Sequence, residues 1–154
     1  MKLAISSDHR GIKLVKSIIM MLNELSDFSL PDQHIEILDY SPKKDTSVDY
    51  PDYAAKVAKT VSANHADKGI LVCGSGIGMS ICANKFKNVR AALVYNEKTA
   101  KMCRKHNDAN ILCLGADMTE KQLALKLVQI FLETKFEGDR HKRRIDKINK
   151  FDCT

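Results

Sequence analysis

A chain of 154 residues, 44% hydrophobic and 29% charged, is expected to form one globular domain spanning residues 1–154; it can bury about two-thirds of its unfolded surface without disulfide or metal staples. No apolar run approaches the ~18 residues of a membrane span, and the opening MKLAISSDHRG reaches Asp8, His9 and Arg10 too soon for a secretory core of about 7–15 apolar residues, so membrane and secreted proteins are set aside. The net charge of +6 lies mostly between Lys135 and Lys150, and such a basic stretch suits nucleic acid, an acidic lipid surface or a small anionic ligand without choosing among them.

Along the chain, short apolar runs alternate with amphipathic stretches. Leu3 to Ser6 is a buried strand, followed by Ile12, Val15, Ile18, Ile19, Leu22 and Leu25 at helical spacing. A loop broken by Pro31 leads to a second strand, Ile35 to Leu38. Pro51 then sits at the start of a helix running to about Asn64. Lys68 to Cys73 is a strand buried on both faces, and Gly74-Ser-Gly-Ile-Gly78 opens a helix reaching about Phe86. Arg90 to Val94 is the fourth strand, Glu97 to His106 a helix, and Asn110 to Leu114 the fifth strand. A long helix from Thr119 to Lys135 carries Leu123, Leu127, Ile130 and Phe131 on one face, which is expected to serve a two-fold interface. A last helix covers roughly Arg140 to Asn149.

This alternation predicts a doubly wound, Rossmann-like α/β sandwich of three layers, with a five-stranded parallel sheet and a C-terminal helical extension. Ligands of such sheets sit outside the carboxyl ends of the strands. The informative residues are therefore Asp8-His9, Asp39-Tyr40, Cys73 to Gly78, Tyr95-Asn96 and Gly115 to Asp117.

The glycine loop is not the dinucleotide fingerprint, which would need glycine at Met79, and no Gly-Lys-Ser/Thr makes it a Walker loop. It is either an anion cradle of free backbone N–H groups or a turn that needs only positive φ. Five cysteines (Cys73, Cys82, Cys103, Cys113, Cys153) without a C-x-x-C pair suggest free thiols in a reducing cytosol. Cys73, beside the loop, sits where a thiolate is stabilised; the other four read as small buried hydrophobes. Asp8 is a ligand group or a helix cap. His106 is a functional base or a favourable charge at a helix end, and Arg140 and Arg144 grip one phosphate or line a solvated basic face.

Taken in this order on an α/β chain, Asp8-His9, the Cys73–Gly78 loop, His106-Asn107-Asp108 and Arg140-His-x-x-Arg144 resemble the type B ribose-5-phosphate isomerases and the related galactose-6-phosphate isomerase subunits. The resemblance covers nearly the whole chain, including Asp49-Tyr-Pro-Asp-Tyr53 and Ala83-Asn-Lys-Phe86. It implies interconversion of ribose 5-phosphate and ribulose 5-phosphate through an enediolate, in the non-oxidative pentose phosphate pathway. Cys73 would be the base, the amides of Gly74, Ser75, Gly76, Ile77 and Gly78 would hold the enediolate charge, and Ser75 would shuttle protons between oxygens. His106 would open the furanose ring, Asp8, His9 and Asn107 would bind substrate, and Arg140 and Arg144 the phosphate. The resemblance further implies no cofactor or metal, and homodimers, sometimes paired into tetramers, whose sites draw on both subunits. One departure stands out: where the family commonly has a phosphate-binding arginine after the fifth strand, this chain has Asp117. Either the C-terminal arginines suffice or a neighbouring base substitutes. Two rival expectations are a hexose 6-phosphate isomerase on the same fold and a nucleic-acid-binding module using the basic C-terminal helix. The latter lacks Trp and any aromatic residue between Arg140 and Arg144 to stack bases.

Overall fold

A computed structural model describes residues 1–28, 35–44 and 46–151. Pro31 and Cys153 lie outside the described residues, as does the side chain of Leu25. The elements run β1 (Lys2–Ser7), α1 (Ile12–Phe28), β2 (Glu36–Asp39), α2 (Tyr50–Ser62), β3 (Lys68–Cys73), α3 (Ile77–Ala83), β4 (Ala91–Leu93), α4 (Glu97–Asn107), β5 (Ile111–Gly115), α5 (Lys121–Glu133) and α6 (Asp139–Ile148), with a closing 3-10 turn at Asn149–Phe151. All strands are parallel, in the order β2-β1-β3-β5-β4. This is the expected α/β sandwich with its C-terminal helix.

Pleating divides the core in two. Leu3, Ile5, Ile70, Val72, Leu112 and Leu114 point to one face, where α1, α4 and α5 cover them with Val15, Ile18, Leu22, Ala100, Leu127 and Phe131. Ala4, Leu71, Cys73, Ile111 and Cys113 point to the other, under Ala54, Val57, Ala58, Val61 of α2 and Met79, Ala83 of α3. Strands buried on both faces explain why β1, β3 and β5 read as unbroken apolar runs.

The expected interface on α5 is corrected here. Leu127 and Phe131 are fully buried within the domain, and Leu123 and Ile130 pack against the same core. Leu127 and Phe131 each contribute about 1.5–3 kcal/mol to folding by leaving water. That face holds the sheet and is not free for a partner.

Helix α5 is Lys121–Glu133 where Thr119–Lys135 was expected, α2 ends at Ser62, and α3 and β4 are also shorter than their sequence patterns, for visible reasons. Helix α3 stops at Ala83 because the side chain of Asn84 turns onto β4: its amide donates to the Ala91 carbonyl at 2.8 Å and its oxygen accepts the Ala91 N–H at 2.9 Å. Strand β4 begins at Ala91, since the Arg90 N–H goes to Asn110 Oδ1 at 2.7 Å and not to a strand. No helix among the described residues is long and apolar enough to cross a membrane.

Strand order places the switch in winding direction between β1 and β3. From β1 the chain moves outward to β2; from β3 it moves the other way, to β5 and β4. The loops leaving β1 and β3 therefore diverge and open a crevice at their carboxyl ends.

Candidate active site

Cys73 ends β3 and is 5% exposed at the floor of this crevice. Its Sγ accepts the Gly76 N–H at 3.1 Å, a contact that charge on sulfur would strengthen. The next amide, Ile77 N–H, goes to Ser75 Oγ at 3.3 Å. Gly76 has φ +78°, and a Cβ there would lie 2.6 Å from Leu93 Cδ1 and 2.9 Å from the Leu114 carbonyl carbon. Glycine at 76 is thus required by backbone shape and by packing, and that shape aims the amide at the sulfur. The cleft around Cys73, about 580 Å³, is lined by Asp8, Gly74, Ser75, Ile77 and Gly78, together with Arg10, Tyr50, Ile81, Asp117 and Met118.

The other described cysteines behave as packing residues. Burial pushes the Cys103 thiol up to about 11, pushes that of Cys113 higher still, and raises that of Cys82 with help from Asp52.

Asp8 is buried, and its Oδ1 accepts the N–H groups of Arg10 (2.9 Å) and Gly11 (3.2 Å). The helix-cap reading is corrected: this oxygen ties the turn ahead of α1, which begins only at Ile12, while the residue also lines the cleft. His9 Nδ1 accepts the Val48 N–H at 3.3 Å, which leaves Nε2 to carry the ring proton as a donor. Asp117, the departure noted in the sequence, is ion-paired with Arg10. The cation of this pair comes from the loop after β1.

His106 and Asn107 are elsewhere. They end α4, just before β5 begins, whereas Cys73 pairs with Gly115 at the far end of β5. Five residues of strand at ~3.3 Å each put roughly 13 Å or more between these levels. Within one chain, Cys73 and His106 lie at opposite ends of the sheet. His106 stacks on His141 of α6, with ring centroids 4.2 Å apart and planes 6° from parallel. Glu137 Oε2 lies 3.7 Å from His106 Nε2 and 3.8 Å from His141 Nε2, and Glu137 Oε1 receives Lys105 Nζ at 2.6 Å. Arg140 and Arg144 are exposed one turn apart on α6. Asp108 serves structure: at φ +45° it closes α4 and bridges Arg90 (3.0 Å) and Arg104 (2.8 Å). Atoms of His106, Glu137 and His141 lie within 4.8 Å of one another, close enough to hold a cation. Lys105, Arg140 and Arg144 beside them oppose one.

His141 is 5% exposed, and its Nε2 has no hydrogen-bond partner. Burial, then the charges of His106, Arg140 and Arg144, hold its pKa below the ordinary histidine value, with Glu137 pulling the other way. The unfolded chain, titrating near 6.5, therefore takes up a proton that the folded chain refuses. Stability from a neutral His141 is complete above about pH 6.5 and is lost as pH falls below it. Glu137, held low chiefly by its Lys105 hydrogen bond, adds a loss of the same sign at lower pH, beneath the usual glutamate value of 4.5. We expect Tm to fall between about pH 7 and 5.5, and His141→Phe, which keeps a stacked ring, to flatten that decline. Parallel melting curves for the two proteins would assign it to another group.

Arg10 and Tyr50 were not among the site residues expected from sequence. Both were within reach of the strand-end rule: Arg10 follows Asp8-His9 directly, and Tyr50 opens the helix after β2, at the same end of the sheet.

Comparisons with known proteins show the family. Residues 3–148 match the family model described as Ribose/Galactose Isomerase. A putative sugar phosphate isomerase of Bacillus subtilis is 44% identical over 153 residues, 99% of this chain and 97% of that protein. The solved ribose-5-phosphate isomerase B of Clostridium thermocellum superposes with a TM-score of 0.90 at 41% identity, covering 97% of this chain and 96% of that one. The enzyme of the same name from Mycoplasma genitalium, solved with bound ribulose-5-phosphate, gives 0.89 at 42% identity over 97% and 95% of the two chains. A glycine loop on a terminal cysteine at the switch point, and full-length similarity to these proteins, place the chain in the ribose/galactose isomerase family.

Proposed function

We propose that this chain is an aldose–ketose isomerase that interconverts D-ribose 5-phosphate and D-ribulose 5-phosphate in the non-oxidative pentose phosphate pathway of the cytosol. The observation that carries the reading is the Cys73 thiol at 3.1 Å from the Gly76 amide, in a cleft at the carboxyl ends of β1 and β3. Cys73 takes the proton from C2 of the open-chain aldose, and the electron pair moves onto O1. The amides of Gly74, Ser75, Gly76, Ile77 and Gly78 carry the enediolate charge, as in an oxyanion hole. Ser75 moves the hydroxyl proton between O2 and O1, and the proton held on sulfur is delivered to C1. No redox partner is called for, because the substrate oxidises and reduces its own carbons. Asp8, His9 and Asn107 bind the sugar, Arg140 and Arg144 its phosphate, and His106 opens the ring.

Because His106, Asn107, Arg140 and Arg144 belong to the other end of the sheet from Cys73, a complete site calls for a second copy of the chain. In the homodimer we propose, each cleft receives the α4 end and α6 of its partner. A coupled assay of ribose 5-phosphate conversion by the purified chain, run beside allose and galactose 6-phosphates, tests the reaction and the sugar. Faster turnover of a six-carbon sugar would overturn the five-carbon assignment. Shared sites carry a further expected result. Inactive Cys73→Ala and His106→Ala proteins, unfolded together and refolded as a mixture, should regain about a quarter of wild-type activity, since half the dimers then hold one intact site in two. No recovery would show that each site is built within one chain.

A further inference from the structure

We propose that Arg10 is a substrate-positioning residue, holding the anionic end of the sugar phosphate on the Cys73 side of the cleft, and that Asp117 fixes its guanidinium there; this rests on the sugar-phosphate reading above. The backbone of Arg10 is anchored by its N–H to Asp8 Oδ1 at 2.9 Å. Its side chain crosses the mouth of the cleft to Asp117, whose own N–H is tied to the Gly74 carbonyl at 3.0 Å. The pair packs directly on the glycine loop: a Cβ on Gly74 would lie 2.7 Å from Asp117 Oδ2 and 2.9 Å from Arg10 Nε. Gly74 is therefore the residue whose missing side chain admits the pair.

A half-exposed ion pair adds little to stability, so this placement is better explained by what the pair presents to the cleft. The contact with Asp117 is made through one terminal nitrogen, Nη2, and the Arg10 side chain is 56% exposed. A guanidinium has five N–H donors in a planar fork, and the fork suits phosphate oxygens. The far flank of the pair is a hollow lined by Lys13, Ser17, Thr119 and Lys121 as well as Arg10 and Asp117. Taken together, the cleft and this hollow set three cations, Arg10, Lys13 and Lys121, against two carboxylates, Asp8 and Asp117, so Arg10 is the cation that faces the Cys73 side. Without Arg10, the Asp117 carboxylate would stand bare beside the amides that receive the substrate and would repel it.

The test compares wild type, Arg10→Met, Arg10→Lys and the exchange Arg10→Asp with Asp117→Arg, each by steady-state kinetics on ribose 5-phosphate, by calorimetric titration with inorganic phosphate, and by thermal melting. Arg10→Met should raise KM by about 10- to 100-fold, the range for loss of a charge-assisted hydrogen bond, and should weaken phosphate binding in parallel. Its kcat should change by less than about threefold, because the phosphate does not react. Arg10→Lys should keep the charge but lose part of the affinity. The exchange keeps one cation and one carboxylate over Gly74, and should bring KM back to within about threefold of wild type. A merely structural role would lower Tm and kcat and would not be rescued by the exchange. Unchanged KM and unchanged phosphate affinity in Arg10→Met would overturn the proposal. Wild type inactive on ribose 5-phosphate would overturn the isomerase reading instead, and the phosphate titration would then decide Arg10 by itself.

Discussion

Cys73→Ala and Cys73→Ser are expected to abolish isomerisation while the protein stays folded. General-base catalysis contributes about 10²–10⁴-fold, so less than about one per cent of kcat should survive. Serine is the sharper test. It fits the space and can accept the Gly76 N–H, but its hydroxyl does not ionise near neutrality and cannot take a proton from carbon. The fold should tolerate either change, since Cys73 belongs to the second core with Met79 and Leu71 and each substitution alters a single side-chain atom, lost in alanine and exchanged for oxygen in serine. Iodoacetamide supplies a second readout. Among the described cysteines, Cys73 is the one that lines this cleft, so loss of activity should follow alkylation of Cys73 and be slowed by substrate. More than about one per cent of kcat in Cys73→Ala would move the base to another group.

His106→Ala should produce an unequal loss. Ribose 5-phosphate arrives mostly as a closed furanose, whereas ribulose 5-phosphate cannot close that ring and reacts open-chain. Initial rates from the aldose should fall by the ~10²–10⁴-fold of a lost acid–base group, and rates from the ketose by much less. The structure adds a control. His141 stacks on His106 at 4.2 Å, and Glu137 lies against both rings, so His141→Phe should keep the orientation of His106 and most of the asymmetry. Equal losses in both directions would leave His106 as a polar contact.

Strand β3 was legible, Lys68 to Cys73, because a strand buried on both faces leaves an unbroken apolar run, here Ile70 to Cys73, preceded by Lys68-Gly69 and closed by Gly74. The glycine loop was legible as a tight turn for a related reason: the need for positive φ at Gly76 leaves a mark in composition. Periodicity failed where a side chain acts outside its own element. Asn84 ended α3 early by bonding to β4, and nothing in the local pattern marks it as different from any surface asparagine. The apolar face of α5 was equally ambiguous, since period alone does not say whether Leu127 and Phe131 face the sheet or a partner. Arg10 with Asp117 is a contact between residues 107 positions apart, visible only once β1 and β5 are set on either side of β3. The separation of His106 from Cys73 is likewise a matter of which sheet end a loop belongs to, and motif order along the chain conceals it.

The asparagine that shortens α3 also governs how the sheet ends. A parallel edge strand ordinarily displays a row of N–H and C=O groups on which another strand can nucleate, a hazard for aggregation and an invitation to sheet-to-sheet assembly. At β4 the outward amide and carbonyl of Ala91 are both occupied by the Asn84 side chain, which mimics one residue of a sixth strand and stops there. With only three residues in β4, that single mimic blocks the start of the ladder. Strand addition at this edge of the sheet is thereby disfavoured.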